Sequence, residues 1–220
     1  PLKIALMQSH PFGYPVHQDC SDALDKTVKL LTSLGHIVEV AQPTLPLEQM
    51  FNGMGIATSS GMLNAVQARE LKLGRAAREN EFEAIVWGHL QRAKEFTAQQ
   101  MLAARSAFDQ GGQAFDVFFN DYDFILTPVT TAPPPKIGEL SLNQPYDSFV
   151  QQVLKASPIA ALFNMTGLPA MSVPLHWNKN GLPIGVQFAG AYGSEAQLLT
   201  LAAQLEQAAP WADKRPPILS

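Results

Sequence analysis

Between Phe163 and Gly190 the chain is punctuated so densely that few conformations remain open to it. The run Phe163-Asn164-Met165-Thr166-Gly167-Leu168-Pro169-Ala170-Met171-Ser172-Val173-Pro174 leads over a polar turn into Gly181-Leu182-Pro183-Ile184-Gly185-Val186-Gln187-Phe188-Ala189-Gly190. Extended apolar runs flank Asn180-Gly181, a strong short-range hairpin signal because both residues tolerate positive φ. Prolines at the strand entrances withhold a ladder donor and so fix where each strand begins. The pattern predicts the end of a helix, then a two-stranded hairpin, then a further helix after Gly190.

The rest of the chain alternates strands and helices. Lys3-Ile4-Ala5-Leu6-Met7 reads as a strand, followed by a Pro/Gly-rich loop over residues 9–15. From about Gln18, residues Cys20, Leu24, Val28, Leu31 and Leu34 recur at helical spacing, with Gly35 placed to end the helix. Ile37-Val38-Glu39-Val40 completes a strand–helix–strand unit, whose strands are expected to be parallel with a right-handed crossover. Residues 47–73 are helical in pattern but rich in glycine, each costing about 1 kcal/mol against alanine. That segment is therefore either broken or packed closely on a neighbour. A cleaner 3.6-residue period from Glu83 through Phe108 predicts one helix, interrupted at Gly111-Gly112. Asp123-Phe124-Ile125-Leu126-Thr127-Pro128 reads as a buried strand ending at proline. Tyr146 to Phe163 is helical with a kink at Pro158. Ser194-Glu195-Ala196-Gln197 predicts a capping box opening a terminal helix. The fold class is α/β, with isolated strands separated by a long helical insertion. The organisation reads as a strand–helix–strand unit over 1–42, a helical insertion over 46–120, and a strand, helix, hairpin and terminal helix over 121–210.

A chain of 220 residues with 46% hydrophobic content can bury a substantial core. Its net charge of −4 and lack of any Lys/Arg run argue against nucleic acid or an anionic membrane as partner. No apolar run approaches the ~20 residues that span a bilayer, and no leader pattern occurs, so a cytoplasmic location is expected. The single Cys20 excludes an intramolecular disulfide, and the five histidines show no metal-binding spacing. Neither phosphate-cradling glycine motif is present, so neither cofactor nor metal is expected. Gly-x-Ser-x-Gly is absent as well. Ser9 and His10 are adjacent and so point to opposite faces of an extended chain. Lys155-Ala156-Ser157 and Ser59-Ser60-Gly61 are too fragmentary for a Ser/Lys mechanism, which needs a desolvated lysine beside its nucleophile. Loops 9–16 and 127–136 follow strand ends, where α/β sheets place ligands, yet no complete catalytic set can be assembled.

These motifs resemble the amidase signature family. Asn164-x-Thr166-Gly167-x-Pro169-Ala170 with Ser172-Val173-Pro174, then Gly181 to Gln187 and Gly190, is similar to that family's C-terminal signature. Lys3-Ile4-Ala5 leading to Pro15-Val16-His17, then Leu34-Gly35-His36-Ile37-Val38-Glu39, then Asp123 to Pro128, and the helix from Glu195 to Leu205 follow the family's order. The resemblance implies a mixed β-sheet flanked by helices, and amide hydrolysis by a Ser–cis-Ser–Lys triad within a Gly/Ser-rich tract. No such tract occurs in these 220 residues. By the resemblance, this is the C-terminal portion of an amidase, inactive alone, with no catalytic residue of its own; the start at Pro1, directly in a strand pattern, reads as a cut end. Implied pocket residues are Thr127, Pro128 and Thr130 after the buried strand, and Phe163 and Asn164 before the hairpin. Phe12, Tyr14 and the helix around Asn52 to Met54 are further candidates. The implied partners are a small-molecule amide substrate and the protein's own N-terminal half. An uncovered sheet edge and face predict self-association or a homodimer. One alternative is a non-catalytic module that binds a small molecule or a partner subunit. Another, within the family, is the hydrolytic component of a tRNA-dependent amidotransferase.

Overall fold

The computed structural model describes residues 1–215. The chain divides into a sheet unit, made of residues 1–44, 112–134 and 156 onward, and a helical unit of residues 45–111 and 135–155.

The sheet unit is built on five strands in the order β2-β1-β3-β5-β4. Strands β1 (Lys3–Leu6), β2 (Ile37–Val40) and β3 (Phe124–Pro128) are parallel, with Lys3 opposite Ile37 and Ile4 opposite Phe124. β5 (Pro183–Gly190) runs antiparallel to β3, and β4 (Ala170–Trp177) antiparallel to β5, so the sheet is mixed. β3 is buried at every position, which accounts for its unbroken apolar sequence. Helix α1 (Gln18–Ser33) turns Cys20, Ala23, Leu24, Thr27 and Leu31 inward at helical spacing. Helix α7 (Glu195–Ala208), towards the other end of the chain, adds Leu198, Leu201 and Leu205. Both join Ile4, Leu6, Phe124, Leu126, Val186 and Phe188 in one apolar cluster. Each fully buried side chain of this size contributes roughly 1.5–3 kcal/mol. Gly35 does end α1, at φ +87°, with its N–H on Thr32 O and the N–H of His36 on Leu31 O.

The hairpin forms where the sequence places it, but its turn is different. The connection spans residues 178–182, and only Gly181 has positive φ, at +78°. Asn178 organises it instead, its side-chain oxygen accepting the N–H groups of Asn180 and Leu182 at 3.0 Å each. β4 also continues through Pro174, absorbing it in a register shift between Val173 and His176.

In the helical unit, α2 (Leu47–Leu73) is one unbroken helix of 27 residues. Its glycine at 53 is there for close packing: an added Cβ would lie 3.0 Å from Ala104 Cα. Gly55, by contrast, has open space where a Cβ would stand. Gly53→Ala is therefore expected to cost about 1–3 kcal/mol through overpacking, and Gly55→Ala to gain about 0.5–1 kcal/mol through helix propensity. Denaturant midpoints of the two variants check the opposite signs.

The single helix expected from Glu83 is two: α3 (Ala84–Ala93) and α4 (Ala98–Phe118). The break is set by a capping pair at Thr97 and Gln100. The N–H of Gln100 donates to Thr97 Oγ1 at 3.2 Å, and the N–H of Thr97 donates to Gln100 Oε1 at 2.8 Å. Gly111-Gly112 does not interrupt α4, which runs through both. The kink at Pro158 is likewise a full break, between α5 (Tyr146–Ala156) and α6 (Pro158–Thr166). Proline occupies the first turn of α6, where its missing N–H costs nothing. Finally, α7 begins after Ser194 without the expected capping box; the Ser194 hydroxyl is buried without a hydrogen-bond partner.

Candidate functional site

β1, β3 and β4 end at one edge of the sheet, where β5 begins. The loops that follow β1 and β3 are tied together there, the N–H of His17 donating to Thr131 O at 2.8 Å. The N–H of Thr131 in turn donates to Ala156 O at 2.9 Å. Within the first loop His10 is buried, accepting the Phe12 N–H on Nδ1 at 2.9 Å and meeting the Tyr14 ring edge-on at 5.0 Å.

The residues singled out from sequence fall into two groups. Thr127 is fully buried; its hydroxyl donates to Pro128 O at 3.0 Å and accepts from Gln187 Nε2 at 3.1 Å. Pro128 is buried as the last residue of β3, and Thr130, beyond it, is exposed with its hydroxyl on Ala132 O at 2.8 Å. Phe163 and Asn164 sit on α6. Phe163 is buried against Phe115, ring centroids 5.6 Å apart, whereas Asn164 is exposed. Among the described residues no hydrogen bond joins the two groups.

A polar cleft of about 630 Å³ opens between the start of α1 and the hairpin turn. Its charges are largely spent on one another. Asn178 Nδ2 donates to Asp19 Oδ2 at 2.7 Å, and Lys26 Nζ lies 3.1 Å from His176 Nδ1. Burial, then the neighbouring Lys26 charge, hold His176 below the ordinary imidazole value, against the opposing pull of Asp22 and Asp19. His176 therefore meets Lys26 as a neutral acceptor, and the cluster fastens the hairpin to α1.

The helical unit holds a pocket of different character, about 230 Å³ in volume, lined by α2, α3 and α5. Phe51, Met54, Phe149, Val150 and Val153 make it apolar, and Asn52, His89 and Tyr146 supply its polar edges. His89 is buried, with Nδ1 2.7 Å from the fully buried Ser59 Oγ and its ring edge-on to Tyr146 at 4.8 Å. Burial, then the charge of Arg92, push its pKa down. Sequence reasoning reached this pocket only at Asn52 to Met54. Ser59 and His89 stand on separate helices and share no motif, so no local signal announced the pair.

Both depressed histidines make stability pH-dependent in one direction. Below their ordinary value of 6.5 the unfolded chain takes up protons that the folded chain resists, so acidification favours unfolding. Thermal midpoints are expected to fall from pH 7 to pH 5. His89→Gln and His176→Gln, each scanned over the same range, are expected to flatten that slope.

Among the described residues no group of three or more His, Cys, Asp or Glu is arranged to hold a metal ion. No helix among them is long and apolar enough to cross a membrane.

The family model described as Amidase matches residues 1–199. The chain belongs to the amidase family. It is 30% identical over 232 residues to the 6-aminohexanoate-cyclic-dimer hydrolase of Paenarthrobacter ureafaciens, covering 100% of this chain and 46% of that protein. It is 31% identical over 223 residues to a lipoamidase of Enterococcus faecalis, covering 92% of this chain and 31% of that amidase. The solved structure of 6-aminohexanoate cyclic dimer hydrolase matches the whole chain with a TM-score of 0.89 at 27% identity, over 47% of its own length. A bacterial aryl acylamidase of the amidase signature family shares the fold, with a TM-score of 0.78 at 20% identity over 98% of this chain and 46% of its own. The chain thus spans about half the length, or less, of the amidases it matches. The mixed sheet flanked by helices is the architecture that the sequence resemblance implied.

Proposed function

We propose that the protein hydrolyses a carboxylic amide C–N bond, with the nucleophile supplied by residues outside these 220. The observation that carries this reading is the agreement with 6-aminohexanoate cyclic dimer hydrolase along the whole chain, in both sequence and fold. In this reading a Ser–cis-Ser–Lys triad lies in an N-terminal half that completes the enzyme. The present chain contributes part of the sheet and the walls that orient the substrate, which lowers the barrier by positioning rather than by bond chemistry. Thr130 and Asn164, both exposed, are placed as groups that meet the substrate; Thr127, Pro128 and Phe163, all buried, hold the wall behind them. The names of the relatives favour an aliphatic amide as substrate.

The test is hydrolysis by the intact protein of acetamide, hexanamide and the cyclic dimer of 6-aminohexanoate, read as released ammonia or amine. Turnover of the longer aliphatic amides is expected, and none from residues 1–220 alone. Hydrolysis by residues 1–220 alone would overturn the placing of the nucleophile. Failure of the intact protein on every amide would overturn the activity.

A further inference from the structure

The pocket of the helical unit carries one polar feature with a defined sense. Ser59 Oγ lies 2.8 Å from Gly55 O and 2.7 Å from His89 Nδ1. A carbonyl oxygen only accepts, so the serine hydrogen lies towards Gly55 and the hydrogen shared with His89 belongs to Nδ1. Nε2 of the neutral ring then carries a lone pair. It makes no hydrogen bond among the described residues, and His89, more than nine-tenths buried, lines the pocket. Arg92 lies over the Tyr146 ring, 4.6 Å from its centroid, and its charge adds to burial in keeping a second proton off the imidazole.

An acceptor in apolar surroundings favours a ligand that brings a donor. The Arg92 charge disfavours a cationic donor, and a carboxylate would face the Nε2 lone pair. A neutral N–H fits both conditions. The volume, about 230 Å³, falls below the roughly 300–1,000 Å³ of drug-sized sites, which points to a short chain.

We propose that this pocket binds a short aliphatic secondary amide, its methylenes against Phe149, Val150 and Val153 and its N–H donating to His89 Nε2. The choice of an amide as the donor rests on the amidase reading; the pocket and its acceptor do not.

The probe pair is N-methylhexanamide and methyl hexanoate, which are nearly isosteric and differ in the N–H. Calorimetric titration of the intact protein is expected to show the amide bound at least tenfold more tightly, because a site built around a hydrogen bond rejects the analogue lacking it. His89→Leu is expected to bring the two within twofold by weakening the amide. Val153→Phe, on the half-buried face of α5, fills the pocket and is expected to weaken both at least tenfold. It carries the test if the His89 variant fails to fold. Equal affinities in the wild type, or unchanged affinities in Val153→Phe, would overturn the assignment. Retained N–H preference without any amide turnover would remove the amidase reading alone, and turnover without the preference would remove this site alone.

Discussion

Gly190→Ala is expected to lower the stability of the fold by about 2–3 kcal/mol, at the upper end of overpacking costs. Gly190 stands directly opposite Phe124 in the β3–β5 ladder. A Cβ there would lie 2.9 Å from both Cδ1 and Cε1 of the Phe124 ring and would also run into the Ser194 hydroxyl. Neither obstacle gives way easily. Phe124 is fully buried in the main apolar cluster, and Ser194 sits in the turn that opens α7. The φ of Gly190 is not positive, so size and not backbone conformation sets the cost. Gly181 is the reverse case: nothing lies near its missing Cβ, but φ is +78°, so alanine there costs about 1–2 kcal/mol through the backbone alone. Urea denaturation separates the two. Phe124→Leu removes the ring edge and is expected to recover part of the Gly190→Ala loss, with a coupling of about 0.5–3 kcal/mol in the double-mutant cycle. At Gly181 the same second substitution is expected to recover nothing. Simple additivity at Gly190 would refute the steric account.

The elements of the sheet unit were legible because period and punctuation agree with the tertiary environment. β3 reads as continuously apolar and is buried at every position; α1 carries a helical stripe and a terminating glycine. The failures share a cause: a local signal was read without its competitor. The 3.6-residue period runs on through Lys94 to Thr97, but the Thr97–Gln100 cap starts a new helix there. Gly111-Gly112 looks like an interruption, yet Gly112 has nothing crowding it and the surrounding helix carries both. At Ser194 the box residues are present, but the hydroxyl is buried beneath Gly190 and caps nothing. Asn180-Gly181 marks a turn correctly and its geometry wrongly, because Asn178 takes over the hydrogen bonding. The candidate site is less legible still. Buried pairs such as Ser59 with His89, or Thr127 with Gln187, are made by residues 30 and 60 positions apart, and no spacing rule reaches that far.

Phe163→Ala and Asn164→Ala, neighbours on α6, are expected to separate wall from contact. Phe163 is 3% exposed and packs on the fully buried Phe115. Truncating it opens a cavity and is expected to cost about 3–5 kcal/mol of folding stability, the range for a buried Phe→Ala. Asn164 is exposed and makes no hydrogen bond among the described residues, so its truncation is expected to change stability by no more than about 0.5 kcal/mol. If Asn164 meets the substrate, amide turnover by the intact protein drops while the denaturation midpoint stays in place. For Phe163 the two quantities are expected to fall together, and Phe163→Leu, which keeps most of the volume, to restore both. The ratio kcat/KM, measured well below the unfolding midpoint of each variant, makes the comparison. Full activity in Asn164→Ala would remove it from the substrate surface. A Phe163→Ala variant that lost turnover without losing stability would place that ring in contact with substrate and not behind it.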